Sequence, residues 1–268
     1  LIWAANGSNE IMTQILQAFG GPGRTLVSFA PTYSMYHEYA RDTNTTWVQG
    51  RRLDDFSLDL DAVARVLARE RPAVLVLASP NNPTGTALPQ EQQRAILEMT
   101  RESGPIINGR PSATLVVIDE AYGEFRREGV PSALELLEDA PHLVVTRTMS
   151  KAFGMAGLRL GYMSAAREII DAVMLVRLPY HLSALTQAAA LAALRHKDSL
   201  MAQVGALRKE RDGLVDWLRT HGFHALDSDA NFVLFGTFED RTAIFEALLA
   251  RGVLIRVVGP EGWLRVSV

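Results

Sequence analysis

The chain has 268 residues, 48% of them hydrophobic and 21% charged, which is ample for a large core and unlike disordered or collagen-like chains. A formal net charge of −3 gives no global positive field for nucleic acid or anionic membrane. The absence of cysteine excludes disulfides, iron–sulfur clusters, thiolate zinc sites and cysteine nucleophiles.

In chain order, Ile11, Met12, Ile15, Leu16 and Phe19 fall on one face of a helix that Gly20-Gly21-Pro22-Gly23 stops. Short β-rich runs follow at Thr25–Phe29, Thr46–Gln49, Ala73–Ala78, Leu115–Asp119 and Leu143–Arg147, each between segments of helical spacing such as Leu60, Val63, Val66 and Leu67. Several of these runs are apolar on both faces, as in a parallel sheet covered by helices. The pattern predicts an α/β fold with a mainly parallel sheet. A weaker run, Leu158–Met163, is expected to add an edge strand, and Gly104–Ser112 reads as a polar loop insertion.

The rhythm changes after about residue 183. Helices are expected at Ser183–Arg195 and Ser199–Thr220. A strand at Asn231–Phe235, a helix at Arg241–Arg251 and strands at Val253–Val258 and Leu264–Val268 follow. This divides the chain into a large domain, 1–195, and a smaller α+β domain, 196–268. Apolar runs such as Ala73–Ala78 fall far short of the ~20 residues that span a bilayer. With no export signal, the chain reads as cytoplasmic.

In an open parallel sheet, ligands sit beyond the carboxyl ends of the strands. Three successive strand ends there carry Asn82-Pro83-Thr84-Gly85, Asp119-Glu120-Ala121-Tyr122 and Ser150-Lys151 with Arg159. Singly, Asn82 could shape a turn, Asp119 cap a helix and Lys151 face solvent. Together they deliver an amide, a carboxylate and an amine to one crevice.

In this order and spacing the motifs resemble the fold-type I pyridoxal-phosphate enzymes, the aspartate aminotransferase superfamily, over essentially the whole chain. Ala5–Glu10, Thr146–Phe153, Leu178–Ser183 and Asp229–Phe232 are most similar to its histidinol-phosphate aminotransferase branch. The resemblance implies pyridoxal 5'-phosphate as cofactor. It also implies ping-pong transamination between L-histidinol phosphate and 2-oxoglutarate (or glutamate in reverse) in histidine biosynthesis, by a homodimer with shared active sites. An aromatic-amino-acid aminotransferase of the same family is the alternative. A regulatory or lyase relative that does not transaminate is more distant.

By the same resemblance, Lys151 bonds the cofactor covalently and then moves the substrate proton. Asp119 keeps the pyridine nitrogen protonated, and Asn82 and Tyr122 hydrogen-bond the ring oxygen. Tyr33 stacks on the ring, its alternative being core packing. Ser8 and Asn9 before a helix at Glu10–Phe19, with Thr148, Ser150 and Arg159, hold the cofactor phosphate. A plain serine cap is the other reading of Ser8. Arg265, Arg256 and Asn231 match the substrate-anion site, although Arg256 could equally be a surface strand charge. No metal is expected; the pair in His221-Gly222-Phe223-His224 lacks further ligands. His181 could touch substrate or close a helix linker.

Two departures stand out. Relatives often have Asp where this chain has Val257. Relative to the family, the chain is expected to lack an N-terminal arm, which carries a tyrosine toward the partner's cofactor, and the closing C-terminal segment. This stretch alone is therefore expected to be poorly stable or inactive.

Overall fold

The computed structural model describes residues 1–268. The alternation of periods becomes β1 (Ile2–Ala5), α1 (Gly7–Phe19), β2 (Thr25–Ala30), α2 (Met35–Asp42), β3 (Thr46–Arg51), α3 (Leu60–Glu70), β4 (Val74–Ala78) and α4 (Gln90–Met99). A small hairpin, β5 (Ile106–Ile107) and β6 (Arg110–Pro111), leads to β7 (Leu115–Asp119), β8 (Leu143–Thr148), β9 (Gly161–Ala165) and α5 (Arg167–Val176). The chain continues through α6 (Ala184–Arg195), α7 (Lys197–Thr220), β10 (His224–Ala225), β11 (Phe232–Gly236), α8 (Arg241–Leu249) and β12 (Leu264–Ser267).

The main sheet has the order β1-β9-β8-β7-β4-β2-β3. Strands β3, β2, β4, β7 and β8 run parallel, and β9 is antiparallel to both of its neighbours. Period-2 alternation sends Val74, Val76, Leu115 and Val117 to one face, against Ile11 and Ile15 of α1, Tyr36 of α2 and Ile169 and Val173 of α5. Leu75, Leu77, Val116 and Ile118 go to the other, against Val63 and Leu67 of α3 and Ile96 and Leu97 of α4. A strand covered on both sides has no polar face, so β4 and β7 are buried at every residue.

A second, antiparallel sheet, β10-β11-β12, packs Val233, Phe235 and Leu264 against Val215 and Leu218 of α7.

Three expectations need correction. The run at Leu158–Met163 is not an edge. Its strand is β9, shifted to Gly161–Ala165 and lying between β1 and β8, while Leu158 ends an exposed 3₁₀ turn. The edge beside it is β1, a four-residue strand with one buried residue, too short and too exposed to carry a strand signal. Val253–Val258 is not a strand: it forms only an isolated bridge between Arg256 and Arg265. Gly252 and Gly259, both left-handed, bracket it, and Val253, Leu254 and Val257 are exposed rather than packed on a sheet. The Gly104–Ser112 insertion is not purely loop, because Asn108 and Gly109 both adopt positive φ and turn the β5–β6 hairpin.

Candidate active site

The parallel strands end level with one another. Ala78 of β4 pairs with Asp119 of β7, which pairs with Thr146 of β8. Because β9 runs the other way, Arg159 before it arrives at the same end, beside the start of α1. One cavity there is lined by Ser8, Asn9, Tyr33, Asn82, Asp119, Tyr122, Thr148, Ser150, Lys151 and Arg159. All ten residues expected to hold the cofactor thus share it.

Asp119 is the last residue of β7, buried and carboxylate-bearing. Its Oδ1 accepts from Thr146 Oγ1 at 3.1 Å and the Ala121 amide at 3.2 Å, and its Oδ2 accepts from Tyr36 Oη at 2.9 Å. Burial raises its pKa, and these donors oppose the rise. The Lys151 ammonium lies 5.5 Å from the centre of the Tyr122 ring. Burial, with Arg265 and Arg159 nearby, lowers the Lys151 pKa. Burial pushes Tyr122 up to about 12, with Arg265 opposing.

Helix α1 begins at Gly7, earlier than expected, so Ser8 and Asn9 lie in its first turn and Ser8 is not the cap. Asn6 precedes the helix without a side-chain cap bond; instead its backbone amide donates to Glu10 Oε2 at 2.5 Å. The next amides of that turn are free of helical partners and carry the positive end of the dipole. Two glycines allow this turn to reach the strand ends. A Cβ on Gly7, whose φ is +83°, would stand 2.6 Å from Arg159 Nη2. A Cβ on Gly161 would collide with the Ser8 amide. Thr148 Oγ1 donates to Ser150 Oγ at 2.9 Å and accepts from the Ser150 amide at 3.2 Å, which fixes both hydroxyls beside the turn.

Arg265 of β12 donates to Asn82 Oδ1 at 2.6 Å, and its guanidinium lies 4.7 Å from the centre of the Phe232 ring. Burial lowers its pKa, with Arg256 adding to the effect. None of Arg265, Arg256 and Asn231 lines the cavity: Arg265 reaches its rim through Asn82, whereas Arg256 is exposed and meets Arg265 through paired backbone bonds of 2.9 Å. His181 is engaged elsewhere, stacked on Trp3 with Nε2 2.9 Å from the Ala4 carbonyl. His221 stacks on Trp217, and His224 lies against Trp263.

Sequence reasoning missed the supports behind these residues. Tyr36 is one; its spacing of three from Tyr33 was the available signal. Asn81 is another, bonding Thr32, Thr84 and the Pro31 carbonyl, so that it ties the Tyr33 segment to the Asn82 turn. Glu120 is buried and takes Arg126 at 2.9 Å and Arg147 at 2.7 Å. Asp229 pairs with Arg127, and its amide donates to the Gly85 carbonyl at 2.7 Å.

The family model for aminotransferase class I and II matches residues 1–268. The chain belongs to the class I and II aminotransferases. It is 58% identical over 267 residues to the histidinol-phosphate aminotransferase of Thermobifida fusca (strain YX), covering 100% of this chain and 70% of that protein. It is 53% identical over 271 residues to that of Bifidobacterium longum (strain NCC 2705), covering 99% and 70%. Among solved structures, histidinol-phosphate aminotransferase from Sinorhizobium meliloti in complex with pyridoxal-5'-phosphate superposes with a TM-score of 0.86 at 28% identity, over 99% of this chain and 71% of that one. Aspartate aminotransferase from Thermus thermophilus with maleate gives 0.83 at 28% identity, over 99% and 71%. The architecture of this aminotransferase is fold type I.

Proposed function

We propose that this aminotransferase moves the amino group of L-histidinol phosphate to 2-oxoglutarate, with pyridoxal 5'-phosphate as cofactor, in histidine biosynthesis. The observation that carries the reading is the single cavity where Lys151, Asp119 and the phosphate-type donors meet. The residues fit that cofactor. First-turn amides of α1, the Arg159 guanidinium and the Thr148 and Ser150 hydroxyls suit a phosphate. A buried carboxylate suits a protonated ring nitrogen, and Tyr33 offers an aromatic face. The identity to relatives named histidinol-phosphate aminotransferase supports the choice of amine.

When bound, the cofactor supplies an electron sink for the bond broken at the substrate's amine-bearing carbon. Lys151, its ammonium destabilised by burial and two arginines, reaches the neutral amine more readily than a solvated lysine. It is the residue to bond the cofactor and, once displaced, to carry the proton from that carbon. Arg265 grips the substrate's phosphate in one half-reaction and a carboxylate in the other. Its bond to Asn82 sets its position relative to the ring. Arg256 and Asn231 form the outer part of this anion site.

The proposed organisation is a cofactor-holding unit, 1–195, and a unit, 196–268, that brings Arg265. The proposed assembly is a homodimer. Leu175, Tyr180 and Leu185, exposed by 86%, 99% and 81%, form an apolar stretch that a partner copy would cover. No helix is long and apolar enough to cross a membrane, and the proposed location is the cytoplasm.

Borohydride treatment of the cofactor-loaded protein, followed by peptide mass mapping, tests the reading. The cofactor mass is expected on the Lys151 peptide and absent from Lys151→Ala. Its appearance on another lysine would overturn the assignment.

A further inference from the structure

The Asp119 carboxylate is held unevenly. Oδ1 takes two donors, Thr146 Oγ1 and the Ala121 amide, whereas Oδ2 takes one, Tyr36 Oη. Each carboxylate oxygen has two lone-pair sites, so Oδ1 is filled and Oδ2 keeps one open. Tyr36 is 1% exposed, and the Tyr33 ring meets it edge-on with centres 5.5 Å apart. Tyr36 therefore has no freedom to leave, and Asp119 cannot rotate without losing all three bonds.

We propose that Tyr36 is a positioning residue for the cofactor's ring nitrogen: its hydroxyl locks Asp119 with Oδ2 open toward the ring N–H and holds the carboxylate ionised. The proposal rests on the cofactor assignment above and adds a residue to it. Ionisation needs such help here. Lys151 and Arg159 share the cavity, but no cation bonds the Asp119 carboxylate, and the charged neighbour from its own turn, Glu120, opposes ionisation. Tyr33 and Tyr39 from the α2 segment and Tyr122 from the β7 turn also face it. None of these donates to Oδ2. Burial alone would leave the carboxyl protonated to a higher pH, in which form it cannot take the ring proton.

The test is pyridoxal 5'-phosphate affinity of the full chain against pH, read by tryptophan fluorescence, for wild type and Tyr36→Phe. Removing the donor raises the Asp119 pKa in the empty protein. Below that pKa, binding must first expel a proton, so affinity falls as pH drops. Titration of the cofactor itself cancels in the ratio of the two proteins. The ratio is expected to be small near about pH 8.5 and to grow to roughly tenfold or more near about pH 5.5. Tyr36→3-fluorotyrosine keeps the packing, strengthens the donor, and should move the acid limb the opposite way. A ratio that is flat with pH, or a fluorotyrosine limb that does not move, would overturn the role of Tyr36 while leaving the cofactor assignment intact. Failure of the wild-type chain to bind at any pH would overturn both.

Discussion

The replacement Gly161→Ala tests how the helix α1 turn is brought to the strand ends. The added methyl would meet the Ser8 amide, with the Gly7 carbonyl carbon at 2.5 Å and the Arg147 oxygen at 3.0 Å. All three are backbone atoms of β8 or the first turn of α1, so no rotamer change relieves the contact. Overpacking costs about 1–3 kcal/mol, and a purely backbone clash belongs at the upper end. The lower chain entropy of alanine in the unfolded state offsets about 0.5–1 kcal/mol, leaving roughly 2 kcal/mol of net destabilisation. The turn must also move away from Thr148 and Ser150, so cofactor affinity should fall by roughly tenfold, the equivalent of about 1.4 kcal/mol. Urea unfolding and a fluorescence titration with pyridoxal 5'-phosphate measure the two effects. Gly213→Ala is the matched comparison. It is exposed in α7 with nothing within 4 Å of the added methyl, and should gain about 0.5–1 kcal/mol. Wild-type stability and wild-type affinity in Gly161→Ala would refute the close-approach reasoning.

Three further outcomes are expected. Asp119→Asn should abolish tight cofactor binding yet stabilise the empty protein near neutral pH. The folded pKa of Asp119 is raised, so its ionisation destabilises the fold as pH rises through that value; the advantage of Asn should shrink as pH falls, which melting curves across pH would record. Glu120→Ala strips the buried partner from Arg126 and Arg147 and should cost about 3–5 kcal/mol in urea unfolding. Arg265→Gln should lower kcat/KM for both substrates by about 10–100-fold, with cofactor binding little changed, as steady-state kinetics and titration would register.

Much of the large sheet was legible because strands buried on both faces, such as Val74–Ala78 and Leu115–Asp119, leave continuous apolar runs between helical periods. The site was legible because chemistry at strand ends needs particular residue types, and Asn82, Asp119 and Lys151 each follow a readable strand. What was lost is non-local. Tyr36 reads as one more core aromatic until its hydroxyl is seen on Asp119, 83 residues away. The Asp229–Phe232 stretch stands out in the sequence, but nothing local to it points to Arg127, 102 residues away, as the partner of Asp229. Strand β1 has no pattern of its own and forms only because β9 offers it an edge. Val253–Val258 failed in the opposite sense: its β-branched run has the propensity, but only Ile255 packs on the small sheet, and Val253, Leu254 and Val257 stay exposed.

The most direct measurement of the proposed activity is a single half-reaction. The full-length protein is loaded with pyridoxal 5'-phosphate, and its absorption is followed as histidinol phosphate, then phenylalanine, is added without acceptor. Rapid, saturable conversion by histidinol phosphate at low concentration, with phenylalanine weak, is expected. Preference for phenylalanine would contradict the assignment and make this chain an aromatic-amino-acid aminotransferase, with Arg265 a dedicated carboxylate binder.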